Sequence, residues 1–236
     1  SRSADGPPAS KVSFKAVTVF MSVSILSDNL HLGLQFDATG LAPVLLQNAD
    51  GAYEVTTKAA TATFLPDGDT GTNMARTLDA VVAELEAAPE GLDTTCDAIS
   101  HGSLMGARGN SGVILSQILR GLASTLKNAK DATEGSGAKV AEALKNASTA
   151  AYQAVLKPIE GTILTVVRES AEAATVNAAR GAALAEVLVA TRNAGRDALR
   201  RTPEMLPVLK QAGVVDAGGA GFLLLLDAAL HVAAGE

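Results

Sequence analysis

The pattern of apolar and polar positions divides the chain into two regions with different periods. Between Val12 and Leu26, VSFKAVTVFMSVSIL, β-branched and aromatic residues roughly alternate with small and polar ones, which predicts a strand or hairpin edge. The same segment has an apolar centre with Lys11 and Lys15 early in it, a faint likeness to a targeting segment. From Phe36 the period becomes helical. Leu41, Val44, Leu45, Asn48, Tyr53 and Val55 predict a first helix over Thr39 to Ala62, with a break at Gly51. Met74, Leu78, Val81, Val82 and Leu85 form the next stripe, which stops at the break from Pro89 to Gly91. A shorter helix is expected over Thr95 to Leu104, then one from Val113 to Leu126 that is apolar on most sides and so central. After the polar linker from Lys130 to Gly137, Val140, Leu144, Ala147, Ala151 and Val155 give a stripe that ends at Pro158. Helices over Thr162 to Ala174, Ala182 to Leu199, Pro203 to Ala212 and Gly219 to Ala233 complete the chain. About eight helices with short connections, and no alternating strands after residue 36, predict an all-α bundle or barrel over residues 36–236, with residues 1–35 as a separate arm.

Composition sharpens this picture. Of 236 residues 47% are hydrophobic but only 3% aromatic, with no Trp, so the core must be built from Ala, Leu and Val. Such small side chains favour closely packed helices over a sandwich. A formal charge of −6 argues against a nucleic-acid surface or an anionic membrane face. An anionic ligand must then be held locally, by a metal or by backbone dipoles. Cys96 is the only cysteine, which excludes an internal disulfide and makes a reducing, cytoplasmic compartment the expectation. No apolar run reaches the length of about 20 residues that a transmembrane helix needs.

Two stretches carry candidate chemistry. Leu65 to Met74, LPDGDTGTNM, puts Asp67 and Asp69 on a glycine-bearing turn that runs straight into a helix. Two carboxylates turned to one side suit a hard cation such as Mg²⁺. Asp69 or Thr70 can cap the helix, and the N–H groups of its first turn, around Gly71, Thr72 and Asn73, would face the same space and donate to phosphate oxygens. Taken alone, such a turn is more often a loop that only caps a helix. The second stretch, Gly102 to Gly112, GSLMGARGNSG, carries four glycines and two serines just before an apolar helix. Glycines let a backbone approach a phosphate, and Asn110 and Ser111 supply donors. No Lys-Ser or Lys-Thr pair follows, so it is not a Walker A loop. His101 stands beside this stretch, while His31 and His231 belong to no catalytic or zinc spacing.

PDGDTGTNM, GSLMGARGNSGVILSQILRG, KPIEGTILTVVRE and TPEMLPVLKQAGVVDAGGAG, in that order, resemble the nucleotide-binding domain of bacterial fatty acid kinase, in the superfamily of the dihydroxyacetone kinase L subunit. The resemblance covers about Phe36 to Val232. It implies an antiparallel barrel of eight helices with nucleotide at one end, and transfer of the ATP γ-phosphoryl group. By that resemblance Asp67 and Asp69 hold Mg²⁺, and Thr72, Asn73, Asn110, Ser111 and Gly112 contact phosphate. Leu104, Met105 and Gly106 form a wall beside the adenosine, although Met105 is equally explained as core packing. Thr162, after Gly161, binds phosphate or caps its helix, and the turn Asp216, Ala217, Gly218, Gly219 meets base or ribose or caps the last helix. Arg108 can face phosphate or lie at an ordinary exposed position.

The resemblance further implies ATP/ADP and Mg²⁺ as cofactors, a fatty-acid-binding partner protein that presents the acyl carboxylate, no nucleic acid, and room for a homodimer. Family members continue into domains that dock the partner, so this domain alone is expected to bind nucleotide with weak or absent acyl transfer. One departure stands out: the family's upstream ligand, Asn or a third Asp, is replaced near Thr61 and Ala62. That puts a second Mg²⁺ in question, with Asp50 or Glu54 as substitutes. The alternatives are an L-type subunit of dihydroxyacetone kinase and a non-catalytic nucleotide-binding scaffold.

Overall fold

The computed structural model describes residues 43–47, 53–57, 69–127 and 136–234. The expectations for residues 1–35, Asp50, Thr61, Ala62 and Asp67 lie outside these. The first departure from the sequence reading is at the start. Instead of a helix over Thr39 to Ala62, strands β1 (Pro43–Gln47) and β2 (Tyr53–Thr57) pair antiparallel with Pro43 opposite Thr57 and Gln47 opposite Tyr53. The β-branched and aromatic run YEVTT favours extended backbone.

Eight helices make up the rest of the described residues. They are α1 (Thr70–Ala87), α2 (Leu92–Gly106), α3 (Gly109–Lys127), α4 (Ser136–Gln153), α5 (Ile163–Ala179), α6 (Leu184–Met205), α7 (Pro207–Ala212) and α8 (Ala217–Ala234). α1 ends before Pro89, which disfavours helical backbone at Ala88. Met74, Leu78, Val81 and Leu85 are its buried stripe, as the period requires. α3 begins at Gly109 rather than near Val113, and α2 runs through Gly106. The glycine stretch is thus mostly helix, with only Ala107 and Arg108 between the two helices. The penultimate boundary was also misplaced: Pro203 lies inside α6, and Pro207 takes the first position of α7, where a missing N–H costs nothing. Gly213, left-handed at φ 66°, stops α7.

Consecutive helices from α1 to α6 pack as antiparallel neighbours, and α8 packs on α5, α6 and α1, so the last helix returns to the first. Leu115, Ile118, Val166, Val187, Phe222 and Leu223 are almost fully buried in one continuous core. Each such side chain contributes about 1.5–3 kcal/mol of transfer free energy. Cys96 is part of this core, and burial, with Asp93 and Asp97 nearby, pushes its thiol up to about 11, so it is an inert structural residue. Among the described residues no helix is long and apolar enough to cross a membrane.

Small residues set the helix spacing. A Cβ on Gly121 of α3 would stand 2.6 Å from the Cα and 2.9 Å from the backbone N of Ala147 on α4. Backbone cannot move aside as a side-chain tip can. Gly121→Ala should therefore lower stability by about 1–3 kcal/mol through overpacking, overriding the roughly 1 kcal/mol that Ala ordinarily gains over Gly inside a helix. The shift of the urea midpoint checks this, with Gly181→Ala as a companion at a left-handed position (φ 77°) that has open space around it.

Candidate functional site

Up-and-down packing brings the N-termini of α1, α3, α5 and α8 to one end. Three contacts link them in a row. Ser111 Oγ of α3 lies 3.4 Å from the Thr70 carbonyl of α1, a Cβ on Gly221 of α8 would stand 2.7 Å from Met74 Cε of α1, and a Cβ on Gly218 of α8 would stand 3.2 Å from Ile163 Cβ of α5. The acidic turn and the glycine stretch therefore meet, and the turns at Thr162 and Asp216 share their end of the molecule.

At α1 the first helical bond runs from the Asn73 N–H to the Asp69 carbonyl, 2.8 Å, so the N–H groups before it point out of the helix end. Asp69 holds the N-cap position, yet its side chain makes no capping bond. Its exposed carboxylate accepts the Asn73 side-chain amide at 2.6 Å through Oδ2. Thr77, one turn on and fully buried, donates its hydroxyl to the Asn73 carbonyl at 2.7 Å. α3 lies directly against this turn. A Cβ on Gly109, whose φ is +57°, would stand 2.3 Å from Asn73 Nδ2, and one on Gly112 would stand 2.5 Å from Thr77 Oγ1. Gly112 spends its N–H on the Arg108 carbonyl, 2.9 Å, so the outward-pointing N–H groups of α3 are those that precede it. Asn110 is exposed there and Ser111 is half-buried.

The end of α2 forms the rim. Leu104 and Met105 are 48% and 64% exposed, which removes the core-packing explanation of Met105. Gly106 is buried, and a Cβ there would stand 2.2 Å from the Ala80 Cβ. Arg108 is exposed and folds back to donate to the carbonyls of Ala107 (2.9 Å) and Met105 (3.4 Å), capping α2.

The α5 and α8 side is chemically different because its helix ends are capped from within the chain. Thr162 is the N-cap of α5: its hydroxyl accepts the Leu164 N–H at 3.3 Å and donates to the Ile159 carbonyl at 2.8 Å. The Asp216 carboxylate accepts the Gly219 N–H at 2.7 Å together with the backbone N–H groups of Gly218 and Ile163, bridging the N-termini of α8 and α5. The Asp216 N–H donates to the buried Thr202 hydroxyl at 3.1 Å. Burial pushes the Asp216 carboxyl up to about 6, against those three backbone donors, which hold it down.

Sequence reasoning missed the brace behind Thr162. The two Glu160 oxygens accept from Tyr152 (2.8 Å), Thr165 (2.6 Å) and Arg168 (3.3 Å), and the Gly161 N–H donates to Thr165 Oγ1 at 2.8 Å. Burial raises the Glu160 carboxyl, but these three donors outweigh it and hold the group below the usual glutamate range. Its only signal in the sequence was the position of Glu160 immediately before Gly161 and Thr162. His101 is exposed and pairs with Glu84 at 3.0 Å, consistent with a surface role.

Residues 64–231 match the family model of the DAK2 domain. Protein YloV of Bacillus subtilis (strain 168) is 43% identical over 173 residues, covering 73% of this chain and 31% of YloV. Uncharacterized proteins of Staphylococcus epidermidis and Staphylococcus aureus are 42% and 41% identical over the same length and with the same coverage. The chain thus spans about a third of the length of the curated relatives it matches.

The Asp216 bridge carries a pH signature. Its folded carboxyl, at about 6, holds a proton that the unfolded chain, near 3.8, has already released. The folded state is thereby favoured below about pH 4, and this contribution is lost as pH rises through 6. In urea unfolding from pH 3.5 to 7.5, the stability of the native chain relative to Asp216→Asn is expected to fall across that window. A difference between the two that does not change with pH counts against the shift.

Proposed function

The chain belongs to the DAK2 domain family, a family of kinase-type nucleotide-binding domains, and on that premise we propose that it binds ATP and passes the γ-phosphoryl group to a fatty acid carboxylate held by a separate fatty-acid-binding protein in the cytoplasm. The observation that carries this reading is the contact between the acidic turn and the glycine stretch: the Asp69 carboxylate and the N-termini of α1 and α3 share one end, with Asn73 packed against Gly109. A triphosphate seated there would meet outward-pointing backbone N–H groups from two helices. Leu104 and Met105 offer an apolar rim for the base.

The donor set suits Mg²⁺. Among the described residues no three His, Cys, Asp or Glu side chains cluster to enclose a metal, and Asp69 is an exposed carboxylate beside phosphate donors. Mg²⁺ keeps most of its water and is held by one or two carboxylates plus substrate phosphates, and an exposed Asp69 at a helix N-terminus supports that reading. Asp69, with Asp67 two residues before it, would hold the ion, and the ion when bound would neutralise charge on the phosphate oxygens. The chain's own part is to orient the phosphates by the N–H groups of α1 and α3, without a nucleophile of its own. The acceptor carboxylate oxygen forms a bond to γ-phosphorus as the bond to the ADP oxygen breaks, giving acyl phosphate and ADP with no proton to place.

The glycine stretch GARGNSG favours this acceptor over dihydroxyacetone. Calorimetry with ADP and Mg²⁺ tests the assignment. Asp69→Ala and Asp67→Ala should each weaken Mg-ADP binding at least tenfold, about 1.4 kcal/mol. Unchanged affinity in both variants sinks the kinase assignment. Metal-dependent binding without turnover, when a fatty-acid-loaded binding protein is supplied, supports a scaffold instead, and turnover with dihydroxyacetone supports the L-subunit activity.

A further inference from the structure

Asp at an N-cap ordinarily turns its carboxylate over the helix end and accepts a first-turn backbone N–H. Asp69 has the position and forgoes the bond. Its Oδ2 is instead 2.6 Å from Asn73 Nδ2, one turn along, and the carboxylate is exposed while Asn73 is only 9% exposed. Asn73 is itself fixed from three directions. Its N–H is bonded to the Asp69 carbonyl (2.8 Å), its carbonyl accepts from Thr77 (2.7 Å), and its amide fills the space where a Gly109 side chain would start, 2.3 Å from Nδ2 and 3.0 Å from Cγ. The amide is therefore a buried, immobile donor whose partner is the exposed carboxylate.

We infer that Asn73 is a positioning residue, not a phosphate ligand: its amide fixes the orientation of the Asp69 carboxylate, and Gly109 is glycine so that the amide can reach it. The inference rests on the reading of Asp69 as a cation-holding carboxylate. It deepens that reading by making the glycine stretch part of the metal site through one side chain, so that the two motifs cannot be set independently. Any side chain at Gly109 would have to push the amide off Asp69, besides straining the left-handed backbone at φ +57°.

The test uses Mn²⁺ as the probe, followed by electron paramagnetic resonance on the full chain without nucleotide, and ADP calorimetry with and without Mg²⁺. Asn73→Ala is expected to weaken Mn²⁺ about tenfold and Mg-ADP by a similar factor while leaving metal-free ADP affinity within about twofold. Gly109→Ala should behave alike, and the double variant should be no weaker than either single one, because both act through the same contact. Should Gly109→Ala not fold, Asn73→Ala decides alone. The side-chain amide protons of Asn73 in a nitrogen–proton correlation spectrum should also shift in Asp69→Ala. Equal losses of metal-free ADP and Mg-ADP in Asn73→Ala would make Asn73 a phosphate contact and overturn the inference, as would unchanged Mn²⁺ affinity. Mn²⁺ uptake that depends on Asp69 and Asn73 without any ADP binding overturns the kinase reading and keeps this one. Mg-ADP binding that depends on Asp69 but not on Asn73 does the reverse, and a chain that takes up no Mn²⁺ either alone or with ADP present overturns both.

Discussion

The contact on which the rest depends is the side-chain-free approach of α3 and the end of α2 to α1. Gly102 and Gly106 rest on Ala80, and Gly109 and Gly112 rest on Asn73 and Thr77, each at a distance where a Cβ would overlap an existing atom. Glycine inside a helix costs about 1 kcal/mol relative to alanine. Four such positions in one stretch are tolerable only if the close approach returns more through packing, and it does so by bringing two helix N-termini together over one carboxylate. The glycines of this stretch thus act through what they allow to touch. Only Gly109, at φ +57°, is required for its backbone conformation as well.

The four helix ends gathered at this end of the molecule are unequal in charge. The partial positive ends of α5 and α8 are covered by the Thr162 hydroxyl and the Asp216 carboxylate. A phosphate brought to that side would face a carboxylate. On the α1 and α3 side the N-cap carboxylate makes no bond to its helix end and accepts the Asn73 side-chain amide instead. The electrostatic asymmetry divides the end into a half that suits anionic oxygens and a half that suits neutral or hydroxyl-bearing groups. A chain with a net charge of −6 has no broad positive field to attract a nucleotide, so this local division must do the sorting.

The helical stripes and their number were legible because burial imposes the 3.6 period directly: Met74, Leu78, Val81 and Leu85 are buried as the pattern requires. Boundaries were not. The glycine stretch reads as a loop by propensity, yet tertiary contact with α1 holds its two ends in helices, and Pro203 was read as a helix start because sequence cannot show that α6 continues past it. The hairpin at Pro43–Gln47 and Tyr53–Thr57 was hidden by a helical pattern that weighed Leu and Val positions above the β-branched run. At the site, the two motifs were legible and their adjacency was not, since residues distant in sequence meet only through the fold. The roles of Thr162 and Asp216 as caps were open alternatives that geometry narrows. The brace around Glu160 had no pattern at all, because Tyr152, Thr165 and Arg168 converge on it from two different helices.

These facts make the candidate site a product of tertiary contacts. Asp216 must reach Ile163, Gly221 must reach Met74 and Ser111 must reach Thr70 before the four N-termini share one end. None of these pairs is local, and each depends on α8 closing against α5 and α1, or on α3 folding back on α1. Bringing like helix dipoles together is unfavourable. Asp216 lowers this cost on one side by placing a carboxylate between two positive ends. On the other side, among the described residues, the Asp69 carboxylate makes no bond to its helix end and accepts the Asn73 amide instead. An anionic ligand at the N-termini of α1 and α3 would offset that repulsion and, by mass action, stabilise the closed helical body.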